Sequence, residues 1–361
     1  MRWSLYVVKL FGIEFRVHVT FLLLLLFVFL AGSAEGGIDT GLNGVLFLSA
    51  VFACVLVHEV GHSLIARRFG SVVKSITLLP IGGVATMEEI PAKPVHEIAM
   101  AAIGPLINLA IAGLLYVAAG GNVVLAYPTL YPETSAAFLS GLVSVNVILA
   151  VFNMVPAFPM DGGRVLRGLL ALKLDFVKAT SIAVTIGQGL AMMMIFFGIL
   201  GNLWLAIIGF FLYVGAGGEN RAVMMRSVLG RVPTSEAMVT DFRSLRPEMP
   251  LADAIAGIQR GCQEDFPVIG DDGLEGVLTQ AAIVAAIREK GQTAMVSDAM
   301  ERDVLIVAGT ETLDKVFRRI VVERKPAAAV VEGGRLKGML CPDGLNRFLG
   351  IRLALKGLSA D

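Results

Sequence analysis

"FACVLVHEVGHSLIARRFG", Phe52–Gly70, sets two histidines and a glutamate inside an apolar stretch of membrane-spanning character. Ionisable groups at membrane depth are costly, and they mark a pairing or a functional use. On a helix, His58 and His62 stand four residues apart and project from one face, so both imidazoles can reach a single ion. Glu59 stands beside them, placed to act on a water held there. This HExxH spacing suits Zn²⁺ with a glutamate general base.

The composition supports a membrane setting. The chain of 361 residues is 56% hydrophobic and only 17% charged, with a mean hydropathy of +0.76; a soluble globular chain carries roughly a quarter charged residues. Charge is unevenly spread: residues 1–231 hold 14 of the 30 Lys+Arg and 11 of the 30 Asp+Glu, although they are the longer part. The sequence therefore predicts a membrane-embedded domain over 1–231 and a soluble part after it. Cys54, Cys262 and Cys341 are scattered, which excludes a disulfide framework and a cysteine-based metal site. The N-terminal apolar run has no small-residue cleavage site close behind it and reads as a retained first membrane helix.

Apolar windows of spanning length fall at about 17–33, 42–66, 95–120, 135–158, 178–200 and 202–219, predicting about six transmembrane helices. With a cytoplasmic N-terminus, every Lys and Arg before Val232 falls on the cytoplasmic side. The opposite loops, "AGSAEGGIDTG" and "GGNVVLAYPTLYPETS", contain none. Both termini and the soluble part are then cytoplasmic. Between the second and third spans, "GSVVKSITLLPIGGVATMEEIP" (70–91) is β-branched and broken by Pro80, Gly82 and Gly83. It reads as a membrane-associated β-hairpin, packed on protein because a bare strand edge cannot face lipid.

The topology places His58 and His62 near the cytoplasmic end of the second span, level with "NMVPAFPMDGGR" (153–164) at the end of the fourth. A catalytic zinc takes three protein ligands and leaves a fourth position for water. Asp161 is the carboxylate near that end of the fourth span, and Pro156 and Pro159 break the helix just before it. Its alternative reading is a helix-ending Asp-Gly turn. With His58, His62 and Asp161 as ligands, Glu59 takes the proton of a water that attacks a carbonyl, and the product is a hydrolysed amide. Asn153, and Asn108 in "GPLINLA", are candidates to donate to the oxyanion or to the substrate backbone; either can equally join helices. His18 and His96 read as structural or interfacial.

At this point the residues resemble the site-2 protease family of intramembrane zinc metalloproteases. The match lies in "HEVGH", "GPLIN" and "NMVPAFPMDG", in that order, with "LLPIGGVATME" similar to that family's membrane hairpin. The resemblance implies one catalytic Zn²⁺ on His58, His62 and Asp161, Glu59 as base, and a membrane-anchored protein substrate cut in or near a transmembrane segment. A substrate helix must unwind before cleavage, and the hairpin offers a strand edge to capture it by β-augmentation.

Residues 232–361 repeat at an offset of 62. "EAMVTDFRSLRPEMPLADAI" from Glu236 aligns with "DAMERDVLIVAGTETLDKVF" from Asp298, and "VIGDDGLEGVLT" from Val268 with "VVEGGRLKGMLC" from Val330. Matched residues include Met238 with Met300, Leu251 with Leu313, and Gly276 with Gly338. Each unit reads as a short strand, a helix, two strands and a final helix. This resembles a tandem pair of cystathionine-β-synthase-type (CBS) domains, with limits at 232–292 and 293–361. Such pairs often bind adenine nucleotides through a Thr/Ser and a following Asp. Here Thr279 is kept but Ala282 stands at the Asp position, and the second unit has Cys341 and Gly344, with Asp343 one place early. Dimerisation through the pair, or gating of substrate, fits these residues at least as well as nucleotide binding. No basic stripe or aromatic platform for nucleic acid is present.

The expected architecture is thus a polytopic α-helical membrane protein with a membrane-associated hairpin and a soluble α/β tandem CBS module. The leading function is a CBS-regulated membrane metalloendopeptidase. A CBS-regulated metal transporter and an inactive protease-like scaffold are the alternatives.

Overall fold

The computed structural model describes residues 3–87, 93–125, 127–230 and 232–352, apart from 261, 262, 264, 272, 292, 293, 324, 343, 346 and 349 in the last range. Cys262 and Asp343 therefore lie outside the described residues. The chain divides into two compact units, Met1–Arg221 and Ala222–Asp361.

The first unit opens with strands β1 (Ser4–Leu10) and β2 (Ile13–His18), a hairpin the sequence reading did not foresee ahead of the predicted first membrane helix. "LYVVKL" and "IEFRVH" are runs of aromatic and β-branched residues joined by Phe11-Gly12, and both turn residues have positive φ, 51° and 77°. That is the two-residue turn whose twist matches an antiparallel hairpin. A window tuned to spanning length passes over strands of this size. Helix α1 (Val19–Gly36) follows, its first turn capped by His18, which accepts from the Thr20 amide. Gly37, at φ 87°, turns the chain directly into α2 (Ile38–Arg68).

The predicted hairpin forms as β3 (Val73–Leu79) and β4 (Gly82–Met87); residues 88–92 lie outside the description. The four strands make one sheet in chain order, with β2 and β3 parallel and the other pairs antiparallel. One face packs Ile13, Phe15, Val73 and Ile76 on Ala66 of α2 and on Met100. Arg67 of α2 donates to the Phe11 carbonyl in the first turn.

Helix α3 (Pro94–Ala118) begins with Pro94 in its first turn, and α4 (Ser135–Asn153) is capped by Thr134. α4 stops at Asn153, five residues short of the predicted window, because Pro156 cannot continue it. A separate short helix, α5 (Asp161–Ala171), follows, then α6 (Phe176–Gly201) and α7 (Leu203–Leu229). α1, α2, α3, α4, α6 and α7 are long and apolar enough to cross a membrane, as the sequence predicted. Large apolar side chains such as Phe27, Leu114 and Ile199 point outward, while Gly32, Gly41, Ala183, Ala191 and Gly198 line the contacts. Small residues let helices approach where lipid offers no hydrophobic gain for burying large ones. A Cβ on Gly32 would come within 3.0 Å of the Gly41 backbone.

The second unit contains α8 (Leu251–Arg260), β5 (Asp265–Gly270), β6 (Gly273–Thr279), α9 (Gln280–Lys290), the short α10 (Val296–Ala299), β7 (Leu305–Val307), α11 (Leu313–Glu323), β8 (Ala328–Glu332) and β9 (Arg335–Leu340). Sheets β5-β6 and β7-β8-β9 are the two halves of the repeat; in the first half Leu245 bridges Val268 where β7 pairs with β8 in the second. Equivalent positions fill the two cores: Leu251 and Leu313, Val268 and Val330, Ile283 and Leu345. The halves also exchange backbone hydrogen bonds symmetrically. Val239 N–H donates to Met339 O at 2.8 Å, and at the equivalent positions Glu301 pairs with Val277. The repeated Gly and Met residues face each other across that exchange: a Cβ on Gly276 would press on Met300, and one on Gly338 on Met238.

Candidate metal centre

His58 and His62 sit in the last three turns of α2, on its inward face, 5% and 8% exposed. Asp161 is the first residue of α5, 9% exposed. The chain reaches that position through the turn 154–160, which folds tightly on the start of α5: a Cβ on Gly162 would overlap the Met154 carbonyl, and one on Gly163 would meet the Ala157 backbone. Gly162 and Gly163 are therefore steric requirements of this return. Asp161 is brought to the two imidazoles, with Oδ2 3.3 Å from His58 Nε2 and 3.2 Å from His62 Nε2. The two Nε2 atoms are 3.0 Å apart.

These distances pass the test for a metal. Ligands about 2.0–2.1 Å from a tetrahedral zinc stand about 3.3 Å from one another. His62 Nδ1–H donates to the Met100 carbonyl at 2.6 Å, which leaves Nε2 as an electron-pair donor facing the centre. Two imidazole nitrogens and a carboxylate oxygen thus converge on one point, and a cation resolves their mutual repulsion.

α3 supplies the wall behind the ligands. A Cβ on Gly104 would overlap His62 Nε2 and the His58 ring, so only glycine admits both imidazoles at this point. On the other side β4 lies against the half-buried Glu59: a Cβ on Gly83 would come within 2.5 Å of Glu59 Cγ. Asn108 is 1% exposed, on the same face of α3 as Gly104, and its Oδ1 has no hydrogen-bond partner among the described residues. Asn153 is the last residue of α4, partly buried. His18 is the cap described above, and His96 stacks on Phe69 with ring centroids 3.8 Å apart. Thr279 accepts from the Ala282 amide at 3.1 Å and caps α9.

Sequence reasoning quoted Gly104 in "GPLIN" and Gly83 in the hairpin without giving either a role at the site, and it missed the Met100 carbonyl, which nothing local marks. It also missed a buried ion cluster. Arg167 of α5 donates through Nε to Glu97 Oε1 at 2.8 Å, through Nη2 to the same oxygen, and through Nη1 to Glu219 Oε1 at 2.7 Å. A signal was present: two charged residues in an apolar context, Glu97 early in the third span and Arg167 soon after "MDGG".

Residues 46–194 match peptidase family M50, and residues 234–289 and 296–349 each match the CBS domain. The chain is 32% identical over 354 residues to a zinc metalloprotease of Methanocaldococcus jannaschii, covering 97% of each. It is 30% identical over 133 residues to stage IV sporulation protein FB of Bacillus subtilis, 37% of this chain and 43% of that one. Among solved structures, the site-2 protease from Methanocaldococcus jannaschii is 35% identical, covering 60% of this chain and 95% of that one with a TM-score of 0.43. The chain therefore belongs to peptidase family M50, the site-2 protease family of zinc metalloproteases, as a multi-pass membrane member that carries two CBS domains.

Proposed function

We propose that this protein is an intramembrane zinc metalloprotease that hydrolyses peptide bonds in or near the transmembrane segments of membrane-anchored proteins. The observation that carries the reading is the convergence of His58 Nε2 and His62 Nε2, beside Glu59 on a helix of membrane-spanning character, with Asp161 Oδ2 of the short helix α5. His58, His62 and Asp161 hold the metal, and Glu59 is the general base. Bound zinc supplies a polarised water and a Lewis acid for the scissile carbonyl. Glu59 takes the proton of the attacking water and returns it to the departing amine. Asn108 and Asn153 supply amide N–H groups to the oxyanion or to the substrate backbone.

Substrate enters as an extended strand. β4 pairs with β3 on one side, and its other edge is unpaired among the described residues. A segment added to that edge runs past Glu59, since Gly83 of β4 lies against its side chain.

The domain limits of this reading are 1–231, 232–292 and 293–361. Both termini and the CBS pair face the cytoplasm, supported by the bias of Lys and Arg to one side of the six spans. The pair acts as a regulatory module, by dimerisation or by gating substrate entry. Adenine nucleotide is not required in this reading: Thr279 is already engaged as a helix cap, and Ala282 offers no carboxylate for ribose.

The test is purified protein incubated in bilayers with membrane-peptide substrates, wild type against Glu59→Gln. Loss of cleavage by a factor of about 10² to 10⁴ with zinc content retained is the expected result. Equal cleavage by the two proteins removes Glu59 from the mechanism. Zinc uptake into vesicles without cleavage supports a carrier instead.

A further inference from the structure

α5 carries the one metal ligand that does not come from α2, yet it has only 11 residues and no side-chain cap on its N-terminus. Its buried residues are Asp161, Gly162, Gly163, Arg167 and Gly168. Apart from glycines, the two side chains it buries are therefore both charged, one at the metal centre and the other in the Glu97–Glu219 clamp. Six residues along a helix separate them by about 9 Å of rise and about 120° of rotation. The short helix is thus pinned at two heights and on two sides.

We propose that Arg167 is a positioning residue for the metal centre. Gripped by Glu97 of α3 and Glu219 of α7, it fixes the height and rotation of α5 so that the Asp161 carboxylate meets His58 and His62. The partners form a common ruler. Glu97, Met100, Gly104 and Asn108 follow one another at spacings of three, four and four along one face of α3. Glu97 grips Arg167, the Met100 carbonyl orients His62, and Gly104 seats both imidazoles. One helix face thereby indexes the α2 ligands and the α5 ligand against each other. Contact along the same seam is close, since a Cβ on Gly168 of α5 would come 3.2 Å from the Pro94 carbonyl of α3.

The guanidinium is suited to this task in a way that an ammonium is not. Its planar fork spans two carboxylates on different helices at once, while it lies 4.9 Å from the ring centroids of both Phe158 and Phe176. Arg167 and Glu97 each have side chains only 1% exposed. Glu97 Oε2 has no hydrogen-bond partner among the described residues, so Arg167 holds that carboxylate through Oε1 alone.

The inference rests on the metal reading of His58, His62 and Asp161, and the experiment separates the two. Full-length protein is stripped of metal, and Zn²⁺ affinity is measured by competition with a chelating dye for wild type, Arg167→Met, Arg167→Lys, Glu219→Gln and His58→Ala. Visible d–d spectra are recorded with Co²⁺ in place of zinc. Arg167→Met and Arg167→Lys are expected to weaken Zn²⁺ by about 10- to 100-fold and to alter the Co²⁺ bands, as loss of an outer support does. Glu219→Gln, which leaves the Glu97 contact, shows a smaller loss in the same direction. Arg167→Lys retains the charge and carries the test if Arg167→Met does not fold. Arg167→Lys with a lowered melting temperature, but wild-type Zn²⁺ affinity and Co²⁺ spectrum, overturns the inference and leaves Arg167 a merely structural residue. Zn²⁺ bound by His58→Ala as tightly as by wild type overturns the metal reading itself, and the inference with it.

Discussion

Leu114 of α3 and Leu251 of α8 are the same side chain in opposite settings. The first is 72% exposed on a membrane-length helix, and the second is fully buried under a small sheet. The contrast extends through the two units. In Met1–Arg221, helices meet through Gly and Ala and turn Leu, Ile and Phe outward. In Ala222–Asp361, Leu, Val and Ile fill two repeated cores. Lipid removes the reward for burying apolar side chains, so close packing and polar contacts must hold the first unit together. Water restores that reward in the second. The two imidazoles of the first unit sit where glycine opens room for them, as Gly104 does.

Removing a proposed ligand breaks the comparison most severely. His58→Ala or Asp161→Ala leaves two of three donors, and both zinc content and cleavage are expected to fall to background, measured by metal analysis and peptide hydrolysis. Gly104→Ala adds one methyl where the imidazoles lie, and an expected loss of about 10- to 100-fold in Zn²⁺ affinity follows from the displaced ligands. Its control is Gly113→Ala in the same helix, where a Cβ meets nothing within 4 Å, so metal affinity stays at the wild-type value. If both behave alike, the close seat of the imidazoles on α3 is not what orders them.

The second unit answers to different substitutions. Leu251→Ala and Leu313→Ala, at equivalent sites of the two cores, are each expected to cost about 2–5 kcal/mol. Hydrogen exchange of the β5-β6 and β7-β8-β9 sheets in the full chain measures this, and strongly unequal losses would show that the halves do not share one packing scheme. The smallest effect is expected for Leu114→Ala, below about 0.5 kcal/mol, because its side chain stays in hydrocarbon whether or not the helices are packed. Thermal denaturation in nanodiscs checks it, and a loss as large as that of Leu251→Ala would erase the contrast between the units.

Much of this protein is written in local patterns. Six spans follow from hydropathy alone, since a helix is what satisfies the backbone of a long apolar segment in lipid. The spacing of His58 and His62 places them on one helical face, and the offset of 62 declares the repeat before any strand is seen. Pro156 ends α4 where its chemistry requires. Tertiary structure decided what depends on residues far apart in the chain. The N-terminal hairpin joins β3 through parallel pairing across more than fifty residues, which no window near Ser4 can register. Arg167 reads in sequence as one more basic residue at the membrane face, and only folding brings Glu97 and Glu219 to it. Gly104 is an ordinary helical glycine until two imidazoles are pressed against it. Periodicity and hydropathy act along the chain, whereas close approach between helices is a property of their packing, and the candidate metal centre needed both.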